Sequence, residues 1–289
     1  MRKLSLKSGL LVLALGVGLV AAGLVAAGCG GGQGAAPSKQ ALSGTVTGAG
    51  STALLPLLKI GQEEFQAKNP QVTLNISGGG SFTGQNQVAS GGVLIGNSDV
   101  PLQADLKDKG LVEHKLVGIP FVFIANKDVK VDNLTNEQLV NIMSGKIKNW
   151  KDVGGKDAPI TLIHRSSSSG SRATIQTVVM KDAKFVDSAI IQDSNGAVRS
   201  AIATTPGAIG YVDAAYVDDS IKSLTYNSVK YSVQAVIDGT YPIYSFGRMF
   251  TKGEPTGATK AFIDYVTSAA FQDTYAEKNG FVPITKMKK

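Results

Sequence analysis

His164-Arg-Ser-Ser-Ser-Ser-Gly-Ser-Arg-Ala-Thr174 is the stretch on which the reading of this chain turns. Ile160-Thr-Leu-Ile163 precedes it, a short apolar run of the kind that forms a strand. Ala173, Ile175, Val178 and Val179 follow at a spacing compatible with a helix. Strand, loop and helix therefore come in that order, with Arg165 and the serines at the strand's C-terminal end. A guanidinium offers a rigid fork of donors, and the first helical turn adds unpaired N–H groups and a positive dipole end. Such a set suits a small tetrahedral oxyanion. A serine-rich helix cap beside a surface arginine would give the same letters, so the decision rests on the rest of the chain.

The same arrangement recurs upstream. Ser43-Gly-Thr-Val-Thr47 alternates like a strand and runs into Gly48-Ala-Gly-Ser-Thr52. Residues 53–68 then carry Leu54, Leu57, Leu58 and Phe65 at helical spacing. Val72 to Ile76 reads as a second strand, followed by Ser77-Gly-Gly-Gly-Ser-Phe-Thr-Gly84 and a helix over about 84–90. That loop lacks the Gly-Lys-[Ser/Thr] ending of a nucleotide P-loop. It also lacks the Gly-x-Ser-x-Gly elbow of a hydrolase, because position 83 is Thr. Val93-Leu-Ile-Gly-Asn-Ser-Asp-Val-Pro101 is an apolar strand ending on Ser98 and Asp99, at the edge where open α/β sheets hold ligands. Asp99 could equally cap the helix that follows. The repetition predicts an alternating α/β architecture.

Further on, Leu116–Ala125 reads as a strand crossing into a second domain, and 136–143 as a helix entered through Leu134-Thr-Asn-Glu137, which resembles a capping box. Trp150 reads as a packing residue. Residues 185–191 and 196–203 read as helices, Ile209–Val212 as a strand, and 221–237 as a polar-apolar cover of the second domain. Tyr241–Thr251 is extended and returns to the first domain. A helix over 256–270 and another reaching Lys278 bring the chain to Gly280-Phe-Val-Pro-Ile284.

Composition bounds the function. The chain has 289 residues and is 43% apolar, enough for a sizeable core and two domains. Its formal charge is +7. Arg2, Lys3 and Lys7 lie in a leader-like segment, and 7 − 3 leaves +4 on the remainder. That mild, interspersed charge gives nucleic-acid binding little support. Two histidines and one cysteine exclude a structural zinc site or an iron–sulfur cluster, and no cofactor is expected.

Residues 1–28 read as a signal peptide: a basic start, an apolar run from Leu10 to Val25, then Ala26-Ala27-Gly28-Cys29. Small residues before Cys29 resemble a bacterial lipoprotein processing site, with Ala26 standing where Leu is usual. An uncleaved anchor or a plain secretory peptide cut nearby are the alternatives. In each case the remainder is exported, and residues 29–43 form a Gly/Ala/Ser-rich flexible tether.

Ser51/Thr52, Ser81, Asp99, and Arg165 with Ser169, Gly170 and Ser171 together supply neutral donors, one fixed cation and one carboxylate. An anion does not call for a carboxylate unless it carries a proton. Phosphate at neutral pH does, and Asp99 could accept a hydrogen bond from it; sulfate has none to give. A site built to satisfy a ligand hydroxyl rejects an analogue lacking it by roughly 10⁴–10⁵-fold. A hydrolase would need a metal cluster or a nucleophile with its base. His114 and His164 are the only histidines, and His164 points away from Arg165 on its strand, so it is expected to pack beside the loop rather than catalyse.

With Gly48-Ala-Gly-Ser-Thr52, Gly-Gly-Gly-Ser81, Gly96-Asn-Ser-Asp99-Val-Pro101, Arg165-x-x-x-Ser169-Gly170-Ser171, Pro206-Gly-Ala-Ile-Gly-Tyr-Val212, Tyr241-Pro and Thr251-Lys-Gly-Glu-Pro255, the chain resembles the phosphate-binding proteins of ABC-type phosphate importers. The motifs run in the family's order from about residue 44 to 284. The resemblance implies a periplasmic-binding-protein fold of type II, with lobe I formed by 44–120 plus 243–289, lobe II by 121–242, and two hinge crossings. It implies that Thr52, the Ala53 amide, Ser81, Arg165, Ser169, Gly170 and Ser171 bind phosphate, and that Asp99 accepts the ligand proton. Ser171 stands where Thr is common, and Ala53 where some members carry Phe. A monomeric, lipid-anchored, extracytoplasmic protein that is not an enzyme and that docks on a membrane permease is the implied whole.

Overall fold

A computed structural model describes residues 41–287. The chain opens with β1 (Gly44–Gly50), α1 (Leu55–Lys68), β2 (Val72–Gly79), α2 (Ser81–Ser90) and β3 (Ile95–Ser98). α1 starts at Leu55 because Pro56 occupies its first turn, where a missing N–H loses nothing. β2 alternates as the sequence demands, with Val72, Leu74 and Ile76 buried and the residues between them exposed. α2 begins at Ser81, three residues before the expected start, so Gly84 lies within the helix. The small residue is needed there: a Cβ on Gly84 would sit 2.6 Å from the Ala49 carbonyl oxygen.

β4 (Leu111–Ala125) is the long central strand, and its run from Leu116 to Ala125 is buried throughout. Next come β5 (Asn133–Leu134), α3 (Asn136–Met143), β6 (Thr161–Arg165), α4 (Gly170–Ile175), β7 (Ile190–Gln192), α5 (Asn195–Thr204) and β8 (Ala208–Asp213). The helix expected over 185–191 does not form. Phe185 instead stacks on His164 with ring centroids 4.7 Å apart, the Val186 amide bonds the Met143 carbonyl at 2.9 Å, and Ile190–Gln192 pairs in parallel with β6. α3 does carry a capping box, but the reciprocal partner of Thr135 is Gln138 and not Glu137. β9 (Lys222–Ser223), β10 (Thr225–Tyr226), α6 (Val233–Ile237), β11 (Tyr244–Lys252), α7 (Gly257–Thr267), α8 (Ala269–Phe271) and β12 (Val282–Pro283) complete the order. α7 stops at Thr267, earlier than the expected 270, because Ser268 is extended and caps α8.

Among the described residues ten strands join one sheet in the order β2-β1-β3-β11-β4-β8-β6-β7, with β12 and β9 also pairing β4. β4 changes partners at its middle: residues up to Pro120 pair with β11, and Phe121 onward with β8. β1/β2, β1/β3, β6/β8 and β6/β7 are parallel. A large apolar core, with Leu57, Leu74, Phe123, Tyr211, Phe262 and Phe271 among its members, and a smaller one around Val122, Ile163, Val198 and Ile202 hold the helices to this sheet. No helix among the described residues is long and apolar enough to cross a membrane.

Candidate functional site

The loops leaving β1, β2, β3, β6 and β7 all depart from strand C-terminal ends, and they converge. Gly50 makes the first of them possible. At φ +134° it lies in a region that L side chains rarely adopt, and a Cβ there would meet the Asn97 carbonyl oxygen at 2.1 Å. That close approach lets the Ser51 amide bond Asn97 at 2.8 Å and brings Ser51 alongside Asp99.

Asp99 is the centre of the cluster and only 1% exposed. Ser51 Oγ donates to Oδ1, Ser171 Oγ donates to Oδ2 at 3.0 Å, and the Asp99 amide donates to Ser81 Oγ at 2.9 Å. Each carboxylate oxygen can accept twice, so both keep room for one more donor. Burial raises the Asp99 carboxyl above its usual range, while the Ser51 and Ser171 hydrogen bonds and the Arg165 charge hold it down. Gly170 explains how the serines come so near. A Cβ on it would lie 2.2 Å from Ser81 Oγ and 3.0 Å from Asp99 Cβ.

Arg165, at the end of β6, is equally enclosed at 1% exposure. Its Nε donates to the Gln192 carbonyl at 3.3 Å and Nη2 to the Asp193 carbonyl at 2.8 Å, whereas Nη1 has no partner among the described residues. Burial works against its charge, opposed first by Asp99. A buried cationic N–H without an acceptor is costly unless something anionic completes it.

The hydroxyls around it are polarised in one sense. Ser81 Oγ accepts from the Asp99 amide, Ser169 Oγ accepts from the Arg172 amide at 3.2 Å, and Thr52 Oγ1 accepts from Asn195 N and Nδ2 at 3.3 and 3.1 Å. Among the described residues none of these three hydroxyls has an acceptor for its own proton. The site therefore presents three O–H donors and the Nη1 amino group of the guanidinium, and a carboxylate with lone pairs to spare. That is the complement of an oxyanion bearing a single proton.

The structure thus brings together Thr52, Ser81, Asp99, Arg165, Ser169, Gly170 and Ser171, with Ala53 buried next to Thr52. It also adds residues that the sequence reading passed over. Asn195 and Tyr216 reach Thr52 from the far half of the chain, Tyr216 Oη donating to the Thr52 carbonyl at 2.5 Å. Asp213, wholly buried, accepts from the Ala215 amide at 2.8 Å and leaves Oδ2 without a partner among the described residues. Burial pushes its carboxyl well above the usual range, and the charge of Asp99 adds to the rise. The one available signal was position, since Asn195 opens a helix and Asp213 ends a strand. His164 lies where its strand phase put it, stacked on Phe185 with Nδ1 at 3.1 Å from the Arg165 carbonyl. Burial and the Arg172 charge push its ring down to about 4.

Residues 35–270 match the PBP superfamily domain. Phosphate-binding protein PstS of Bacillus subtilis is 39% identical over 256 residues, which cover 88% of this chain and 85% of that protein. The chain belongs to this family of phosphate-binding proteins. PstS of Borreliella burgdorferi is 31% identical over 81% of this chain and 88% of its own. Among solved structures, a phosphate ABC transporter substrate-binding protein of Clostridium perfringens with bound phosphate superposes with a TM-score of 0.79. The two are 30% identical over 83% of this chain and all of the other. The type II periplasmic-binding-protein fold expected from the sequence is the one found.

Proposed function

We propose that this chain captures inorganic phosphate between its two halves and delivers it to an ABC-type importer. The observation that carries this reading is the pairing of a buried, half-free guanidinium with a buried carboxylate inside a ring of outward-donating hydroxyls. Phosphate as HPO₄²⁻ satisfies both: its unprotonated oxygens take the Thr52, Ser81, Ser169 and Arg165 donors, and its hydroxyl donates to Asp99. Ser171, with its proton on Asp99, steadies that acceptor, and the Ala53 and Gly170 amides close the ring. Sulfate would leave Asp99 facing an oxygen with no proton between them, a repulsion in a low-dielectric site.

The two halves are lobe I, 44–120 plus 243–289, and lobe II, 121–242. The exchange of β4 partners between Pro120 and Phe121 supports that division. Capture is by binding and release, with no covalent step, and the capturing unit is a monomer. The protein works outside the cytoplasm, tethered through a lipid on Cys29 after loss of residues 1–28; these positions lie outside the described residues.

Calorimetric titration of the phosphate-stripped protein with phosphate and then sulfate tests the reading, repeated on Asp99→Asn. Tight one-to-one phosphate binding, no sulfate signal, and a loss of phosphate affinity of at least about 100-fold in Asp99→Asn are expected. Equal binding of both anions would reduce Asp99 to a loop cap.

A further inference from the structure

Asn195 occupies an unusual place. It is wholly buried, opens α5, and directs both its backbone N–H and its side-chain Nδ2 at one oxygen, Thr52 Oγ1. Its amide orientation is fixed by chemistry, because its other end accepts from the Asp213 backbone N–H at 3.0 Å. A backbone donor can face only the amide oxygen, so the NH₂ must face Thr52. A threonine hydroxyl has two lone pairs and one proton. With both lone pairs taken by Asn195, the proton is the only part of the group left to meet a ligand.

We propose that Asn195 makes the Thr52 hydroxyl an obligate donor to the bound anion, and so determines which way the anion's own proton points, without touching the anion itself. The inference rests on the phosphate reading above. Thr52 cannot accept from the ligand hydroxyl while Asn195 holds it. Ser81 and Ser169 are held in the same sense by the Asp99 and Arg172 amides. Ser81 and Ser169 each accept one bond and keep one lone pair, so Thr52 is the hydroxyl whose acceptor capacity is closed completely, and that closure favours Asp99 as the acceptor of the ligand proton. Asn195 is thus a positioning residue for specificity. The first N–H of α5, that of Asn195, is spent on Thr52, and the Ala197 amide is taken by Ser194 Oγ at 3.0 Å.

The alternative is that Asn195 merely bridges the halves of the molecule. The two roles separate in a double-mutant cycle of Asn195→Ala with Asp99→Asn, read as phosphate affinity of the full chain by calorimetry. Asn195→Ala frees a lone pair on Thr52 that can take the ligand proton, so the loss caused by Asp99→Asn should shrink at least about tenfold in that background. Tyr216→Phe removes another bond to Thr52, at its carbonyl, and should leave the Asp99→Asn loss unchanged. An equal Asp99→Asn loss in the wild-type and Asn195→Ala backgrounds would make Asn195 a bridge only, with phosphate capture still standing. Absence of phosphate binding by the wild type would remove both readings together.

Should Asn195→Ala not fold, Asn195→Asp is the second variant. Its carboxylate keeps the acceptor for the Asp213 amide but draws the Thr52 proton away from the anion. Phosphate binding should then fall at least about 100-fold, read at a temperature where circular dichroism shows the phosphate-free variant folded. Binding within about twofold of wild type would overturn the proposal.

Discussion

Asp213 shows how a single side chain carries a pH dependence. Its carboxyl is buried, one oxygen has no partner among the described residues, and its pKa is raised well above the ordinary 3.8. The folded chain therefore holds a proton over a window in which the unfolded chain has released it. Stability must fall as pH rises from about 4 through that window. Asp213→Asn keeps an acceptor for the Ala215 amide and removes the titration. Urea midpoints measured from pH 5 to 8 should decline less steeply in the variant than in wild type. A residual slope is expected from Asp99, which is raised in the same direction. Identical slopes in the two proteins would show that Asp213 is ionised in the fold. Gly170 makes a different residue-scale prediction. A methyl group at that position would press on Ser81 Oγ and Asp99 Cβ, and overpacking of this kind costs about 1–3 kcal/mol. Gly170→Ala should weaken phosphate binding by roughly 5–150-fold. Wild-type affinity in a titration would mean that the loop yields without disturbing the site.

Elements were legible where their causes are local. The Thr135 side chain accepts from the Gln138 amide at 3.1 Å, and Gln138 Oε1 accepts from the Thr135 amide at 2.9 Å. Thr135→Ala removes the first of these, and loss of such a cap costs about 1 kcal/mol. The expected result is a stability loss of that size in urea, with phosphate affinity unchanged because Thr135 is exposed and its cap bonds stay within the first turn of α3. A fall in affinity would couple that helix to the site. α1, α3, α5 and the strands that feed Thr52, Asp99 and Arg165 were visible because apolar spacing and the glycine turns act within a few residues. Residues 185–191 were not visible. Phe185 and Ile190 have apolar neighbours that suit a helix as well as a strand, and only the distant β6 and His164 decide between them. The site divides in the same way. Ser81, Asp99 and Arg165 lie at or just past strand ends and could be read from their loops. Asn195 and Tyr216 lie 143 and 164 positions from Thr52, so their contacts depend on how the sheet folds back.

At the scale of the molecule, the site exists only when the two proposed lobes meet. Several bonds span that divide besides those at Asp99. The Phe82 amide reaches the Ser168 carbonyl at 3.2 Å, and Tyr231 Oη donates to the Gly280 carbonyl at 2.7 Å. The Tyr231 bond is distant in sequence from every residue assigned to phosphate, so it tests closure without altering the anion's ligands. An uncharged hydrogen bond contributes about 0.5–1.5 kcal/mol net. If that contribution is made only in the closed form, removing it destabilises the complex and leaves the open encounter untouched. Tyr231→Phe should therefore raise the phosphate dissociation rate by about 2–10-fold while the association rate stays within error. The phosphate-free protein should lose little thermal stability, whereas the protection given by saturating phosphate should shrink by the same free energy. Stopped-flow release of bound phosphate measures the first quantity, and unfolding midpoints with and without phosphate measure the second. A slower association with unchanged release would mean that Tyr231 shapes the open form, and that closure does not bear on this bond.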